Sequence, residues 1–354
     1  MIPLAALLAT PAAAQDVPSA EELADRFEYA LIAGDYRMLP VTEDFTYVEN
    51  GAELEPWDGM WNTVTALEGV TDPALYPPAA TLDYRFEFAT SDTVIRLVES
   101  EEQSVRGVLA YRLVARDGQI ARIDTLPIRE EFTGERSGTV SLMQPFLTNT
   151  MDGSRIGPAD PSLAAAGAVS ALHIESVIGR YFARATGEQS EELMMQIGFA
   201  PGCRRYDNGR QVTNVVVAPV LDPQQPDFRP YALGCKAQMG SGFYENFRIG
   251  ALQAVTDEAH GVGIAFVRLD QPGTVMSFEA PGVGQVIYPG PRGEVAETDT
   301  SEQFASRMTD NMITPLSLNG VFLFKLEPEH GGIARIDAFY RAAPYKWSGW
   351  DFQE

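Results

Sequence analysis

Two carboxylates of the sequence stand directly before an Asn-Gly pair, and carboxylates are the groups here that could carry acid–base chemistry. One is Glu49 in Glu49-Asn50-Gly51, and the other is Asp207 in Asp207-Asn208-Gly209. Alternate residues of a strand share a face, so Tyr47 is expected beside Glu49 and Arg205 beside Asp207. Each pair predicts either groups that line a ligand cavity or an ordinary pairing of side chains at an exposed strand end.

The Asn-Gly pairs themselves predict turns. Asn-Gly between strand-like residues is a strong hairpin signal, because a type I′ turn needs a positive φ at both central positions. The stretches FTYVE and AELEP alternate as two strands around the first pair. Any chemistry at these places therefore rests on the flanking side chains rather than on the Asn-Gly pairs.

Further candidates follow each pair. Trp57 and Trp61 flank Asp58, an arrangement that suits either a pocket wall or an apolar core. Gln211 and Asn214 lie in the stretch QVTN, where amides either bind a ligand or satisfy the backbone of a loop. The candidate catalytic carboxylates are thus Glu49, Asp58 and Asp207, with Tyr47, Trp57, Trp61, Arg205, Gln211 and Asn214 as candidate ligand-binding residues.

Several kinds of site are absent from the sequence. The three histidines, His173, His260 and His330, show no recurring ligand spacing, so no metal site is predicted. No Gly-x-Ser-x-Gly, Walker or Gly-x-Gly-x-x-Gly motif follows a strand, so no cofactor is predicted. Chemistry would have to rest on carboxylate, Tyr and Arg groups.

Composition excludes some partners. The formal net charge is −23, from 26 Lys and Arg against 49 Asp and Glu, and the basic residues form no stripe. This excludes a nucleic-acid partner and disfavours an anionic membrane surface. Residues 1–15 resemble a signal peptide that ends at Ala12-Ala13-Ala14, the alternative being a buried N-terminal helix. No other apolar run is long enough for a membrane span. We therefore expect a soluble exported protein, periplasmic or secreted, of undetermined oligomeric state.

The two cysteines, Cys203 and Cys235, are expected to form a disulfide in such a compartment. A reactive thiol is the alternative, and it would need a nearby base. No histidine lies near either cysteine in the sequence.

An internal repeat shows that the chain is a duplication. Residues 107–124 and 320–337 are identical at nine of eighteen positions at a constant offset of 213. Each copy begins with a helical apolar stripe: Leu23, Phe27, Ala30 and Leu31 behind a Ser19–Glu22 capping box, and Ile174, Val177, Ile178, Tyr181 and Phe182.

Each copy continues as a hairpin and then a run of long strands. The closing hairpins are predicted to turn at Asp117-Gly118 and Gly331-Gly332, as two-residue turns. These patterns predict domains over 16–128 and 161–354, a linker over 129–160, and a loop insertion over 272–318.

This organisation resembles the SnoaL-like, or nuclear-transport-factor-2-like, superfamily, in which helices pack on a curved antiparallel sheet. More closely, the chain resembles an uncharacterised exported family with two such domains in tandem. Its first half carries a Glu-Asn-Gly motif followed by a Gly and Trp motif, matched here by Glu49-Asn50-Gly51 and WDGMW. Its second half carries Cys, ENG.QTTN and Cys, matched by CRRYDNGRQVTN and Cys235.

The second motif departs from the family at Asp207, Arg210 and Val212. The resemblance implies an α+β fold of two tandem SnoaL-like domains and brings no activity with it. Two functions stay open: a cofactor-free lyase, isomerase or hydrolase that acts on a small organic molecule, and a non-catalytic protein that binds such a molecule in the same cavity or in the interdomain cleft.

Overall fold

A computed structural model describes most of both halves of the chain. The described residues are 17–70, 82, 84–103, 105–129, 167–185, 196–215, 232–240, 247–272, 277–280, 284–287, 315–329 and 331–350. The predicted leader, all but the first residue of the predicted linker, and much of the predicted insertion lie outside them.

The first half folds as one long helix on a seven-stranded sheet. Its strands lie in the order β2-β1-β7-β6-β5-β3, and β4 also pairs with β5. The elements are α1 (Ala20–Ala33), β1 (Val41–Glu49), β2 (Ala52–Leu54), β3 (Val64–Leu67), β4 (Arg85–Ala89), β5 (Thr93–Glu102), β6 (Val105–Arg116) and β7 (Gln119–Arg129), with short 3₁₀ helices at Tyr36–Met38 and Gly59–Asn62.

The second half repeats this plan with a six-stranded sheet in the order β10-β11-β14-β15-β8-β9. Its elements are α2 (Ala171–Ala185), β8 (Phe199–Asp207), β9 (Arg210–Gln211), α3 (Cys235–Met239), β10 (Arg248–Asp257), β11 (Val262–Gln271), β14 (Leu316–Leu326) and β15 (Ile333–Pro344). Within the predicted loop 272–318, β12 (Ser277–Ala280) and β13 (Gly284–Ile287) form a separate two-stranded sheet. The loop prediction is therefore wrong at those residues.

Both curved sheets are mixed rather than antiparallel, which corrects the expected fold. The first strand of each half lies beside the last one and runs parallel to it: β1 pairs with β7, and β8 with β15. All other pairings within the two sheets are antiparallel. Side chains alternate with the same period in both kinds of pairing, so the sequence pattern does not encode this direction.

Three of the four predicted hairpin turns are confirmed. Asn50 and Gly51 have φ of 54° and 76°, Asn208 and Gly209 have 46° and 82°, and Asp117 and Gly118 have 54° and 74°. In each case the flanking residues pair across the turn, as Glu49 does with Ala52. These are the positive φ values that favour Asn, Asp and Gly.

The fourth prediction, a two-residue turn at Gly331-Gly332, is wrong. The last register pair of β14 and β15 joins Leu326 to Ile333. The backbone N–H of Glu327 donates to the carbonyl of Gly332 (2.8 Å). The chain thus turns between Glu327 and Gly332 rather than within Gly331-Gly332, and the turn begins at Pro328, a residue without an N–H for further strand pairing.

The larger turn accompanies a shift of register between the two halves. Tyr111 pairs with Thr125 in the first half, whereas Phe324, 213 positions after Tyr111, pairs with Ile336. The position 213 residues before Ile336 is Ile123, so the hairpin register differs by two residues. The sequence repeat at constant offset hides this shift.

Each half has an apolar core between its helix and its sheet, and a third core joins the halves. In the third core, Tyr84 packs against Phe339 (5.0 Å between ring centroids) and Phe266 against Trp350 (4.7 Å). The two sheets therefore pack face to face through their outer faces, and the two helices lie on the opposite, separate faces.

Candidate functional site

Glu49 lies at the end of β1 and fixes the turn that follows β2. The Tyr47 hydroxyl donates to Glu49 Oε2 (3.1 Å), and the backbone N–H of Met60 donates to the same oxygen (2.9 Å). Gly59 has a φ of 66°, and a Cβ there would overlap the Glu49 carboxylate. The motif WDGMW therefore supplies a glycine that lets the backbone approach this carboxylate.

The second oxygen of Glu49 faces an arginine. Glu49 Oε1 lies 3.8 Å from Nη2 of Arg129, whose guanidinium also pairs with Glu102 at 2.9 Å. The Thr63 hydroxyl donates to Glu102 (2.6 Å). Glu49 and Glu102 are 7% and 5% exposed, so Arg129 balances two nearly buried carboxylates. These three partners are not predictable from the spacing around Glu49, because they come from β5, β7 and the turn before β3.

Tyr47 and Trp61 lie between the Glu49 carboxylate and the apolar core of the first half. Burial, and after it the charge of Glu49, raises the pKa of Tyr47 well above its ordinary value, so its hydroxyl stays protonated and donates. The Trp61 ring lies 6.0 Å from the Tyr47 ring and 5.7 Å from Phe27. Its Nε1 is buried, and within the described part of the chain it has no hydrogen-bond partner. Such an unpaired buried donor is uncommon and calls for an explanation.

Trp57 and Asp58 are not part of this cluster. Trp57 is 52% exposed, and its ring lies 5.5 Å from that of Tyr36. Asp58 is exposed at the start of the 3₁₀ helix and makes no side-chain capping bond there. Of the three residues in the Trp–Asp–Trp stretch, only Trp61 faces inward beside Glu49.

Asp207, the counterpart of Glu49, is held by an arginine instead of a turn. Arg205 donates to both its oxygens, from Nε to Oδ1 (2.6 Å) and from Nη2 to Oδ2 (3.0 Å). The Tyr340 hydroxyl also donates to Oδ2 (3.0 Å), and Arg205 Nη1 donates to the Tyr181 hydroxyl (2.9 Å). Burial raises the pKa of Tyr181 to about 12. A bidentate Arg–carboxylate pair of this kind is a strong and geometrically fixed interaction.

Gln211 and Asn214 satisfy the backbone of the loop after β9. Gln211 Nε2 donates to the carbonyl of Thr213 (2.7 Å), and Asn214 Nδ2 donates to the carbonyl of Cys203 (2.8 Å). The Thr213 hydroxyl accepts from the N–H of Arg205 (2.8 Å). Side chains of the QVTN stretch thus hydrogen-bond the free edge of β8 in place of a longer neighbouring strand.

The predicted disulfide is confirmed. The Sγ atoms of Cys203 and Cys235 are 2.03 Å apart, and the bond ties β8 to α3. Among the described residues there is no free cysteine.

A further polar cluster, which was not predicted from the sequence, is buried under α1. Glu28 is fully buried and accepts from the Tyr111 hydroxyl (2.6 Å), from Arg85 Nη2 (2.9 Å) and from Arg96 Nη1 (3.1 Å). Burial and the charge of Glu28 raise the pKa of Tyr111 well above its ordinary value. The available signal was one carboxylate next to the apolar stripe of α1.

Two further properties concern the described residues only. No group of three or more His, Cys, Asp or Glu side chains there is arranged to hold a metal ion. None of the helices in that part of the chain is both long enough and apolar enough to cross a membrane.

Residues 173–339 match the model of a protein family described as a domain of unknown function (DUF8021). This match covers most of the second half, including Cys203, Asp207 and Cys235. Among curated proteins, none matches the sequence.

Two solved structures from Candida albicans are similar to about half of the chain. The Mtr2–Mex67 M domain complex is 12% identical, with 49% of this chain and 96% of that chain covered and a TM-score of 0.23. A structure of Mtr2 is 9% identical, with 48% and 95% covered and a TM-score of 0.23.

Proposed function

We propose that the chain is an exported tandem of two SnoaL-like domains and that its first half acts on a small organic molecule without a cofactor. The observation that supports this best concerns two groups: the Glu49 carboxylate, which has one oxygen without a short hydrogen bond, and the buried Trp61 N–H, which has no acceptor among the described residues. Glu49 Oε2 accepts from Tyr47 and Met60, while the one partner of Oε1 among the described residues is Arg129, at 3.8 Å. The disulfide fits a periplasmic or secreted location.

In this proposal Glu49 is the general base. Its Oε1 takes a proton from the substrate, while Tyr47 and the Met60 N–H hold Oε2 and fix the orientation of the carboxylate. The indole N–H of Trp61, which has no partner among the described residues, donates to a substrate oxygen. Proton removal assisted by one donor suits a lyase, an isomerase or a hydrolase.

The second half lacks this arrangement. Both oxygens of Asp207 accept from Arg205, and Oδ2 also accepts from Tyr340. Removing a substrate proton would require breaking a bidentate ion pair. We therefore assign catalysis to the first half and a structural role to Asp207.

A non-catalytic binding function is the second candidate, and the Met60 hydrogen bond favours it. A carboxylate that holds a turn by a backbone N–H has a structural role without any substrate. The ligand would then contact Trp61 and Arg129. The alternative of an interdomain cleft has less support, because apolar side chains from both sheets fill much of the contact between the halves and the polar groups Arg112 and Gln253 hydrogen-bond each other across it.

The experiment starts with native mass spectrometry of the exported protein, before and after denaturation, to detect a retained small molecule. The protein is then incubated with a panel of small hydroxylated and epoxide compounds, and products are followed by chromatography with mass detection. Glu49→Gln is compared with its matched control, Asp207→Asn, at equal folded concentration.

Turnover that is lost in Glu49→Gln and kept in Asp207→Asn supports the enzyme. A retained compound with no turnover, bound equally by Glu49→Gln, supports the binding protein. Turnover that depends on Asp207 rather than Glu49 would overturn the assignment to the first half.

A further inference from the structure

The Asn-Gly turn beside Glu49 receives its side-chain donors from the second half. Arg341 Nη1 donates to Asn50 Oδ1 (2.9 Å) and to the carbonyl of Pro127 (3.3 Å). Trp347 Nε1 donates to the carbonyl of Asn50 (2.9 Å). A Cβ at Gly51 would overlap the backbone carbonyl of Ser348. The C-terminal part of the chain thus packs directly on the turn that follows Glu49.

The matching turn of the second half needs no such help. Asn208 accepts at Oδ1 from the backbone N–H of Tyr340 (2.8 Å) and donates from Nδ2 to the carbonyl of Tyr340 (3.0 Å). Both bonds go to β15, the strand next to β8. Asn208 is therefore held within its own half.

A proline accounts for the difference. Asn50 N–H donates to Thr125 and Asn208 N–H donates to Ala338, which makes Thr125 and Ala338 equivalent positions. Two residues further along each strand stand Pro127 and Tyr340, and residues two apart point their backbone groups to the same side. Proline has no N–H, so position 127 cannot donate to Asn50 as Tyr340 donates to Asn208.

We infer that Arg341 is a positioning residue for Glu49: its guanidinium replaces the N–H that Pro127 lacks and couples the first-half site to the second half. This inference rests on the proposed function only for the role of Glu49 in turnover; the coupling itself concerns the turn. Separating the halves would leave Asn50 without the donor that its counterpart finds locally.

Amide hydrogen exchange of the whole chain, resolved by residue with NMR, tests the inference. Arg341→Met keeps much of the side-chain length and removes the donor. We expect roughly tenfold faster exchange at the Asn50 amide and at the Met60 amide, which is bonded to Glu49, because a hydrogen bond from a charged donor is lost. The Asn208 amide is the internal control and should not change.

Pro127→Ala supplies the decisive second variant, because it restores an N–H that points toward Asn50. In the double variant with Arg341→Met, exchange at Asn50 and Met60 should return most of the way to the wild-type rate. Unchanged exchange in Arg341→Met, or no recovery in the double variant, would overturn the inference. Neither readout depends on turnover, so a failure of the proposed function would appear separately, in the comparison of Glu49→Gln with Asp207→Asn.

Discussion

The two halves share a backbone plan but fill the space under their helices differently. Under α1, the fully buried Glu28 pairs with Arg96 and Tyr111. Under α2, β14 contributes buried apolar side chains to the core. They are Phe322, Phe324 and Leu326. The positions that correspond to Glu28 and Tyr111 are thus Gly179 and Phe324, and the polar network of the second half is built instead from Arg205, Asp207 and Tyr181.

The same contrast recurs at the strand ends. Glu49 depends on a backbone N–H from a distant turn and, through Asn50, on Arg341 of the other half. Asp207 accepts at both oxygens from Arg205, two residues away on its own strand. The turn beside Glu49 is therefore supported by a residue of the other half, whereas Asp207 finds its partners Arg205 and Tyr340 within its own half.

Removing the buried carboxylate of the first half should have the largest effect on stability. Glu28→Ala removes the fully buried partner of Arg96, which keeps the more exposed Asp25 and Glu87, and leaves the Tyr111 hydroxyl without its acceptor. We expect a loss of about 3–4 kcal/mol in the free energy of unfolding, measured by urea denaturation, because the remaining partners compensate part of the charge of Arg96. Glu175→Ala, at an exposed position of α2, is the matched control. A loss below about 1 kcal/mol in Glu28→Ala would show that water replaces the missing group.

Removing the disulfide tests the second half, where the bond links β8 to α3. The bond closes a loop with a sequence separation of 32. The double variant Cys203→Ala/Cys235→Ala should lose about 3 kcal/mol of unfolding free energy, mainly because the unfolded chain gains entropy. A reductant should lower the wild-type urea midpoint and leave the double variant unchanged. Equal midpoints for oxidised and reduced wild type would contradict this account.

Local patterns allowed most of the fold to be predicted. The repeat at an offset of 213 revealed the duplication, and the Asn-Gly and Asp-Gly pairs marked three turns because their φ requirements are local. The parallel pairing of first and last strands was not predictable from alternation. The turn at Gly331 was mispredicted because Pro328 and a two-residue register shift outweighed the Gly-Gly signal.

The candidate site could be predicted only in part. Period-two spacing correctly placed Tyr47 beside Glu49 and Arg205 beside Asp207. Their other partners, such as Arg129 and Tyr340, are distant in sequence and are brought close only by the sheet. The exposed position of Trp57 likewise depends on the course of a turn, which no residue pattern fixes.

High pH should lower the free energy of unfolding because buried tyrosines have raised pKa values. The pKa of Tyr181 sets the pH range of this effect. Its hydroxyl is protonated in both states below pH 10, so its contribution is constant there. Between pH 10 and about 12 the unfolded state ionises and the folded state does not, so stability falls as pH rises. From pH 10 to 11, wild type should lose about 1 kcal/mol more than Tyr181→Phe in urea denaturation. Equal losses would show that Tyr181 ionises in the folded protein.

The smallest expected effect has the opposite sign and comes from the helix of the second half. Gly179 lies 151 positions after Glu28, at the corresponding place in α2, and it is exposed where Glu28 is buried. A Cβ at Gly179 would meet no atom within 4 Å. Gly179→Ala should therefore raise the free energy of unfolding by about 0.5–1 kcal/mol, because alanine loses less backbone entropy in a helix. Gly263→Ala is the contrasting control: its Cβ would collide with Ile178, so it should destabilise the same half. If Gly179→Ala also destabilised the protein, a side chain at position 179 would have to make a close contact. The two helices would then be alike in having this position covered, as Glu28 is covered in the first half.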